Sequence, residues 1–166
     1  MAKKAQPFKG ALDPNKTIKM QVEDPNLRIE KQHNTDSGYD LKSKLEITIP
    51  AKQFRTIPTG VMLELPSELE AEIRPRSGLA KNFGITVLNS PGTIDSGYRG
   101  EIKVILMNHG EKEFKIEKYQ RIAQIVFKKK ETYNLIELQE INKDTERKEG
   151  GFGSTDPKSN KKSKEK

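Results

Sequence analysis

The sequence predicts an all-β sandwich or barrel carrying one short helix, and three observations predict it. Apolar residues recur at every second position in several short runs. Those runs are punctuated by Pro, Gly or Asn at intervals of roughly 8–12 residues, the rhythm of sandwiches and barrels. One stretch alone, Ser77 to Asn82, is too rich in helix formers to continue the alternation. With 166 residues and 32% apolar content the chain can bury one modest core.

Taken in order, residues 1–17 contain Pro7, Gly10 and Pro14 among scattered lysines and are expected to be a loose, basic extension. Leu45, Ile47 and Ile49 alternate with Glu46 and Thr48 up to Pro50. Val61, Leu63 and Leu65 alternate with Met62 and Glu64 up to Pro66. Ser77-Gly78-Leu79-Ala80-Lys81-Asn82 begins with a capping-type serine and precedes Gly84, which predicts a short helix starting beside Arg76. Phe114 and Ile116 alternate with Lys115 and Glu117, and Ile125 and Phe127 flank Val126 on the opposite face. The alternation is lost after residue 142. Lys143 to Glu149 are almost all charged, a Gly-Gly-Phe-Gly-Ser-Thr run follows, and a Lys/Ser tail fills 157–166.

Composition narrows the chemistry. There is no cysteine, which excludes disulfides and thiolate metal sites. His33 and His109 are the only histidines, too few for a histidine metal cluster and thin material for a Ser-His-Asp triad. No run approaches the roughly 20 apolar residues of a membrane span, and no apolar run follows the early lysines as a secretory signal requires. A soluble, cytoplasmic protein is expected. The net charge of +7 sits at the ends: residues 1–19 and 157–166 carry +4 each, leaving 20–156 near −1. Basic tails on a neutral body differ from the basic groove of a specific nucleic-acid binder.

The most informative stretch is Asn89-Ser-Pro-Gly-Thr-Ile-Asp-Ser-Gly-Tyr-Arg-Gly100. Pro91-Gly92 and Ser96-Gly97 predict turns. Ile85, Val87 and Leu88 precede the stretch, and Ile102, Val104 and Leu106 follow it. A hairpin with one acid, Asp95, and one aromatic, Tyr98, suits reading a flat polar ring by its edge while a carboxylate waits nearby. Taken alone, the same stretch also reads as an ordinary hairpin whose Asp and Gly serve the turn.

Four further segments bear on that choice: Ser37-Gly-Tyr-Asp-Leu41, Pro75-Arg-Ser-Gly-Leu-Ala80, Arg121-Ile-Ala-Gln124, and Arg147-Lys-Glu-Gly-Gly-Phe-Gly-Ser-Thr155. In this order and spacing, the five segments resemble the five motifs of the trimeric dUTPase family over roughly Ile18 to Asp156. The resemblance implies a distorted jelly-roll β-barrel, a homotrimer with active sites built from three chains, and hydrolysis of dUTP to dUMP and pyrophosphate. It implies a domain plan as well: barrel over 18–142, mobile active-site arm over 143–156, and a disordered tail beyond.

Water must attack the α-phosphorus in line with departing pyrophosphate, so the chemistry needs a water-orienting base and cations around the phosphates. The resemblance assigns the base to Asp95, acting through placement more than basicity. Tyr98 packs on the deoxyribose and leaves no space for a 2′-hydroxyl. Asn89, with backbone groups through Thr93 and Ile94, reads the uracil edge, and Lys103 adds main-chain contacts. Arg76, Ser77, Gly78 and Gln124 hold phosphate oxygens, while Arg121 is assigned a structural role. In the arm, Arg147 offsets charge at the γ-phosphate, Phe152 stacks over uracil, and Gly153 and Ser154 approach the phosphates. Mg²⁺ is the implied cofactor, riding on the triphosphate with Asp40 orienting it through water.

Each residue also has a plainer reading: a turn Asp, an edge Tyr, an arginine ion pair, a Gly-rich linker, a strand-end Asp. Tyr119, Lys148 and Asp156 stand where the family usually has Gly. The competing activities on this fold are a dCTP deaminase, a bifunctional deaminase–dUTPase, and a non-catalytic regulatory module. A deaminase needs another carboxylate near the base, and none lies between Asp95 and Glu101. The expected partners are dUTP and further copies of the chain, with no membrane and no specific nucleic acid.

Overall fold

Alternating sequence becomes alternating burial along Val61–Glu64, Leu69–Arg74, Ile85–Val87 and Lys103–Asn108 of the computed structural model, which describes Asp13 and residues 17–150. Eleven strands and one α-helix are present among the described residues. They are β1 (Lys19–Val22), β2 (Tyr39–Lys42), β3 (Ile47–Ile49), β4 (Phe54–Pro58), β5 (Val61–Glu64), β6 (Leu69–Arg74), α1 (Ser77–Phe83), β7 (Ile85–Val87), β8 (Gly92–Ile94), β9 (Lys103–Asn108), β10 (Phe114–Ile116) and β11 (Arg121–Lys129). A single turn of 3₁₀-helix, Pro25–Leu27, is capped by the Asp24 side chain, which accepts from Asn26 N. The molecule is mostly β with one short helix, as the sequence predicts.

The strands form a four-stranded sheet in the order β2-β11-β6-β8, a three-stranded sheet β4-β9-β7, and two pairs, β1-β5 and β3-β10. All pairings are antiparallel. Inward positions of both larger sheets meet in one core that includes Leu41, Ile57, Ile73, Val104, Leu106 and Ile125. Buried Asn108 fastens β9 to its surroundings. Its Nδ2 donates to the carbonyls of Ile49, Pro50 and Lys112, and its Oδ1 accepts from Gly110 N. Such complete satisfaction is what makes a buried amide tolerable.

Three expectations shift in detail. The helix starts where expected, but its N-cap is Arg76 with no side-chain cap bond, so Ser77 is the first helical residue and not the cap. Gly84 closes it at φ 67°, with its N–H on the carbonyls of Leu79 and Ala80. The strands around the informative stretch do pair, Ile85 opposite Asn108 and Val87 opposite Leu106. Their connection, however, leaves that hairpin. The first turn falls at Val87–Ser90, where Ser90 N donates to Val87 O, and Gly92 is already the first residue of β8. Strand β8 pairs with β6 in the other sheet, Gly92 opposite Ile73 and Ile94 opposite Ala71. The connection therefore stitches the two larger sheets together.

The first compact unit ends at Glu131, just past β11, and a second begins at Thr132. Residues 132–150 contain no strand or helix. Within them Lys143 Nζ pairs with Glu149 at 2.9 Å. Tyr133, Leu135, Ile136, Leu138 and Ile141 are all exposed. Among the described residues no helix is long and apolar enough to cross a membrane.

Candidate active site

Helix α1 follows β6 through the extended pair Pro75-Arg76, and this junction places Arg76 beside β2 and β11. There lies a cavity of about 440 Å³, lined by residues that include Gly38, Asp40, Arg76, Ser77, Gly78 and Gln124. Three segments distant in sequence thus converge, and every lining residue just named belongs to a motif that the sequence singled out. Gln32 and Asp36 line the same cavity and were not anticipated. They precede the Ser37–Leu41 segment in a turn in which His33 N donates to Asp36 Oδ2, and only their proximity to Asp40 in sequence could have suggested them.

Asp40 is buried and holds two arginines. Arg76 Nε lies 3.0 Å from its Oδ1 and Arg121 Nη1 lies 3.4 Å from its Oδ2. Arg76 Nη1 also donates to the Arg121 carbonyl at 3.3 Å. Gln124, directly opposite Asp40 in the β2–β11 register, donates its Nε2 to Pro75 O at 2.9 Å. Gly38 packs against this amide so closely that a Cβ there would overlap Gln124 Oε1. Gly78 is the opposite case: a Cβ there meets nothing within 4 Å. Nothing in the described fold requires glycine at 78, so the bare backbone leaves room for something that approaches it.

The second group lies elsewhere on the chain. Asp95 is exposed, and its carbonyl accepts from Tyr98 N at 3.0 Å, closing the predicted Ser96-Gly97 turn. Tyr98 is 45% exposed. Its hydroxyl donates to Glu101 O at 2.9 Å, and its ring lies over Gly100, where a Cβ would strike the phenol oxygen. Asn89 is exposed with its amide over Gly92. Thr93 is exposed on β8, Ile94 is half-buried, and Lys103 is exposed at the start of β9.

The two groups are separated by the length of β6. Ile94 pairs with Ala71, which places Asp95 beside Glu70. Arg76 lies six residues further along extended chain, or about 20 Å at ~3.3 Å per residue. One copy of the chain therefore presents Asp95 and Arg76 at opposite ends of a strand.

Arg147 belongs to the second unit, where its Nε donates to Gly150 O at 2.8 Å. Phe152, Gly153 and Ser154 lie outside the described residues, as does Asp156. The two described departures from glycine share a backbone state: Tyr119 has φ 67° and Lys148 φ 48°. Tyr119 is held there by its hydroxyl on Asp24, a bond that lowers the Asp24 pKa from its ordinary value.

As for a metal, no group of three or more His, Cys, Asp or Glu capable of enclosing one occurs among the described residues. A cage made only of protein ligands does not fit. A magnesium ion held by phosphate oxygens and its own waters fits better, because a carboxylate has about four lone-pair sites and two arginine contacts leave Asp40 able to accept from a metal-bound water.

The dUTPase family model matches residues 26–156. The deoxyuridine 5′-triphosphate nucleotidohydrolase of Clostridioides difficile is 52% identical over 123 residues, 74% of this chain and 85% of that protein. The Clostridium acetobutylicum protein of the same name is 50% identical over 134 residues, 81% and 92% of the two chains. Among solved structures, the Staphylococcus bacteriophage 80alpha dUTPase with dUPNHPP superposes with a TM-score of 0.77 at 26% identity, covering 84% of this chain and 98% of that one. A mutant dUTPase of phage phi11, described with a structural Mg(II) ion, shares the fold at 21% identity and a TM-score of 0.68, covering 75% and 97%. A strand order that brings four of the motif segments to two ends of one sheet and a family match spanning 26–156 agree: the chain belongs to the dUTPase family.

Proposed function

We propose that the protein is a dUTP diphosphatase working as a homotrimer of distorted jelly-roll barrels, each site assembled from different copies. The observation that carries this reading is the roughly 20 Å along β6 between Asp95 and Arg76. An arginine and a carboxylate at that distance cannot serve one phosphate within a single copy, whereas the Asp95 end of one copy against the Arg76 end of another can. The exposed apolar residues Tyr133, Leu135, Ile136, Leu138 and Ile141 support association, since several exposed large apolar side chains within one short segment favour a contact surface.

In this site Arg76, the Ser77 and Gly78 amides and Gln124 bind the triphosphate. Asp40 would hold Mg²⁺ through one of the ion's waters, and the ion would supply charge neutralisation at the phosphates. Asn89 and the backbone at Thr93 and Ile94 read the uracil edge, Lys103 contributes its main chain, and Tyr98 blocks a 2′-hydroxyl. Asp95 orients water and takes its proton as the new oxygen–phosphorus bond forms at the α-phosphate and the bridging oxygen leaves with pyrophosphate. The arm, 143–156, brings Arg147 to the γ-phosphate and Phe152, Gly153 and Ser154 over the nucleotide.

A deaminase is disfavoured by the engagement of Glu101, the next acid after Asp95. Its carboxylate accepts from Gly60 N at 2.8 Å and faces Lys44. Pyrophosphate release measured across dUTP, dTTP, dCTP and UTP tests the reading. Release from dUTP alone is expected, and ammonia from dCTP or no release from dUTP would overturn it.

A further inference from the structure

Strict alternation along β11 would send Arg121 to the same side as Ala123, into the core. The structure avoids this with a register shift: Gln124 pairs with Asp40 and Ala123 with Leu41, but Arg121 pairs with Lys42. Two residues thus oppose one, and Ile122 and Ala123 are both buried, at 1% and 0% exposure. The extra residue turns Arg121 out to the face that carries Asp40 and Gln124. Bulges beside active sites commonly re-aim a side chain in this way.

Once there, Arg121 does not line the cavity. It reaches Asp40 Oδ2 at 3.4 Å, while Arg76 Nε holds Oδ1 at 3.0 Å, and its carbonyl accepts from Arg76 Nη1 at 3.3 Å. Two edges of the Arg76 guanidinium are thereby fixed, and Nη2 has no hydrogen-bond partner among the described residues. Charge matters as much as geometry. Asp40 alone cancels Arg76, and with Arg121 beside it the trio carries one net positive charge.

We infer that Arg121 is a positioning residue for triphosphate binding. Acting through Asp40 and Arg76, it keeps the Arg76 fork aimed and the trio net positive without touching the substrate. This rests on the reading of the cavity as the triphosphate site. The test is a cycle of Arg121→Gln and Arg76→Gln, singly and together, in the full-length protein. The affinity for inorganic triphosphate is measured by calorimetry, alongside KM and kcat for dUTP. Arg121→Gln is expected to weaken inorganic triphosphate about tenfold, within the range of coupled neighbours, and to raise KM more than it lowers kcat. In the Arg76→Gln background it should add nothing. Arg121→Lys should recover part of the loss by keeping the charge, and it supplies the same cycle should Arg121→Gln fail to fold. Independent, multiplying losses would overturn the inference, as would an Arg121→Gln protein that binds inorganic triphosphate normally while Arg76→Gln does not. If Arg76→Gln itself leaves the affinity intact, the cavity is not the triphosphate site and the reading beneath the inference falls with it.

Discussion

Asp95 and Gly78 show how differently single residues can be tested. Asp95→Asn keeps shape and hydrogen bonding but removes the charge that orients water. Turnover of dUTP should fall by roughly two to four orders of magnitude, with dUTP binding retained by calorimetry. Near-normal turnover would return Asp95 to the role of a turn residue. Gly78 gives a prediction of opposite signs. It sits in the first turn of α1, where alanine suits a helix better than glycine by up to ~1 kcal/mol, and its Cβ would meet no protein atom within 4 Å. Gly78→Ala should therefore leave the melting temperature unchanged or raise it, while KM for dUTP rises because the methyl stands where phosphate approaches. A drop in melting temperature would make Gly78 a structural glycine. The placement of Asp95 and Tyr98 at a turn and of Arg76 at a helix entry was legible in the sequence, because turn residues and a charged helix entry announce themselves. The Arg121–Asp40 contact was not. Its one trace, two adjacent apolar residues between Arg121 and Gln124, breaks the alternation by a single position, and a pattern of period two cannot say which way a bulge turns the side chain before it.

At the scale of elements, β6 carries the most structure in the chain. It pairs with β11 on one side and β8 on the other, so it holds the Asp95 connection and the Arg76 junction in fixed relation. Glu72 at its centre accepts from Lys128 Nζ at 2.9 Å, diagonally across the β6–β11 pair, and from Arg74 Nε at 2.9 Å. These two bonds, Lys128 first, hold its pKa below the ordinary value of 4.5. The folded carboxyl is the stronger acid, so the stabilisation is present above about pH 4.5 and is lost as pH falls through the lower folded value. Unfolding curves from pH 7 to 3 should show Glu72→Gln less stable than the parent at neutral pH, with the gap closing in acid. A gap that persists at pH 3 would mean the substitution acts through packing. Strands β3, β5, β7, β9, β10 and β11 were readable from alternating apolar residues, but β6 itself and the crossing of β8 to the second sheet were not. A three-residue strand of Gly, Thr and Ile has no pattern of its own, and its partner is chosen by register with β6.

For the whole molecule, the separation along β6 makes a sharper prediction than any point substitution. Truncation after Asp144 removes Arg147 and Phe152 but none of the strands, so the assembly should persist by light scattering while turnover collapses. Mixing the truncated chain with full-length Asp95→Asn chains should then restore some activity, because an intact arm can reach an intact Asp95 on another copy. Subunit exchange is verified by native mass spectrometry. Verified exchange without any recovery would favour a self-contained site. Membership of the dUTPase family was readable from five motif segments in order. The roughly 20 Å between Asp95 and Arg76 was not, because distance along a strand becomes visible only once register is known.

That distance also has a consequence for dosage. If working parts from opposite ends of different copies complete each site, as proposed, output rises more steeply than the protein's own concentration while copies are scarce. Halving the supply in that range should then remove more than half the activity, and dilution should silence the protein before its chains unfold.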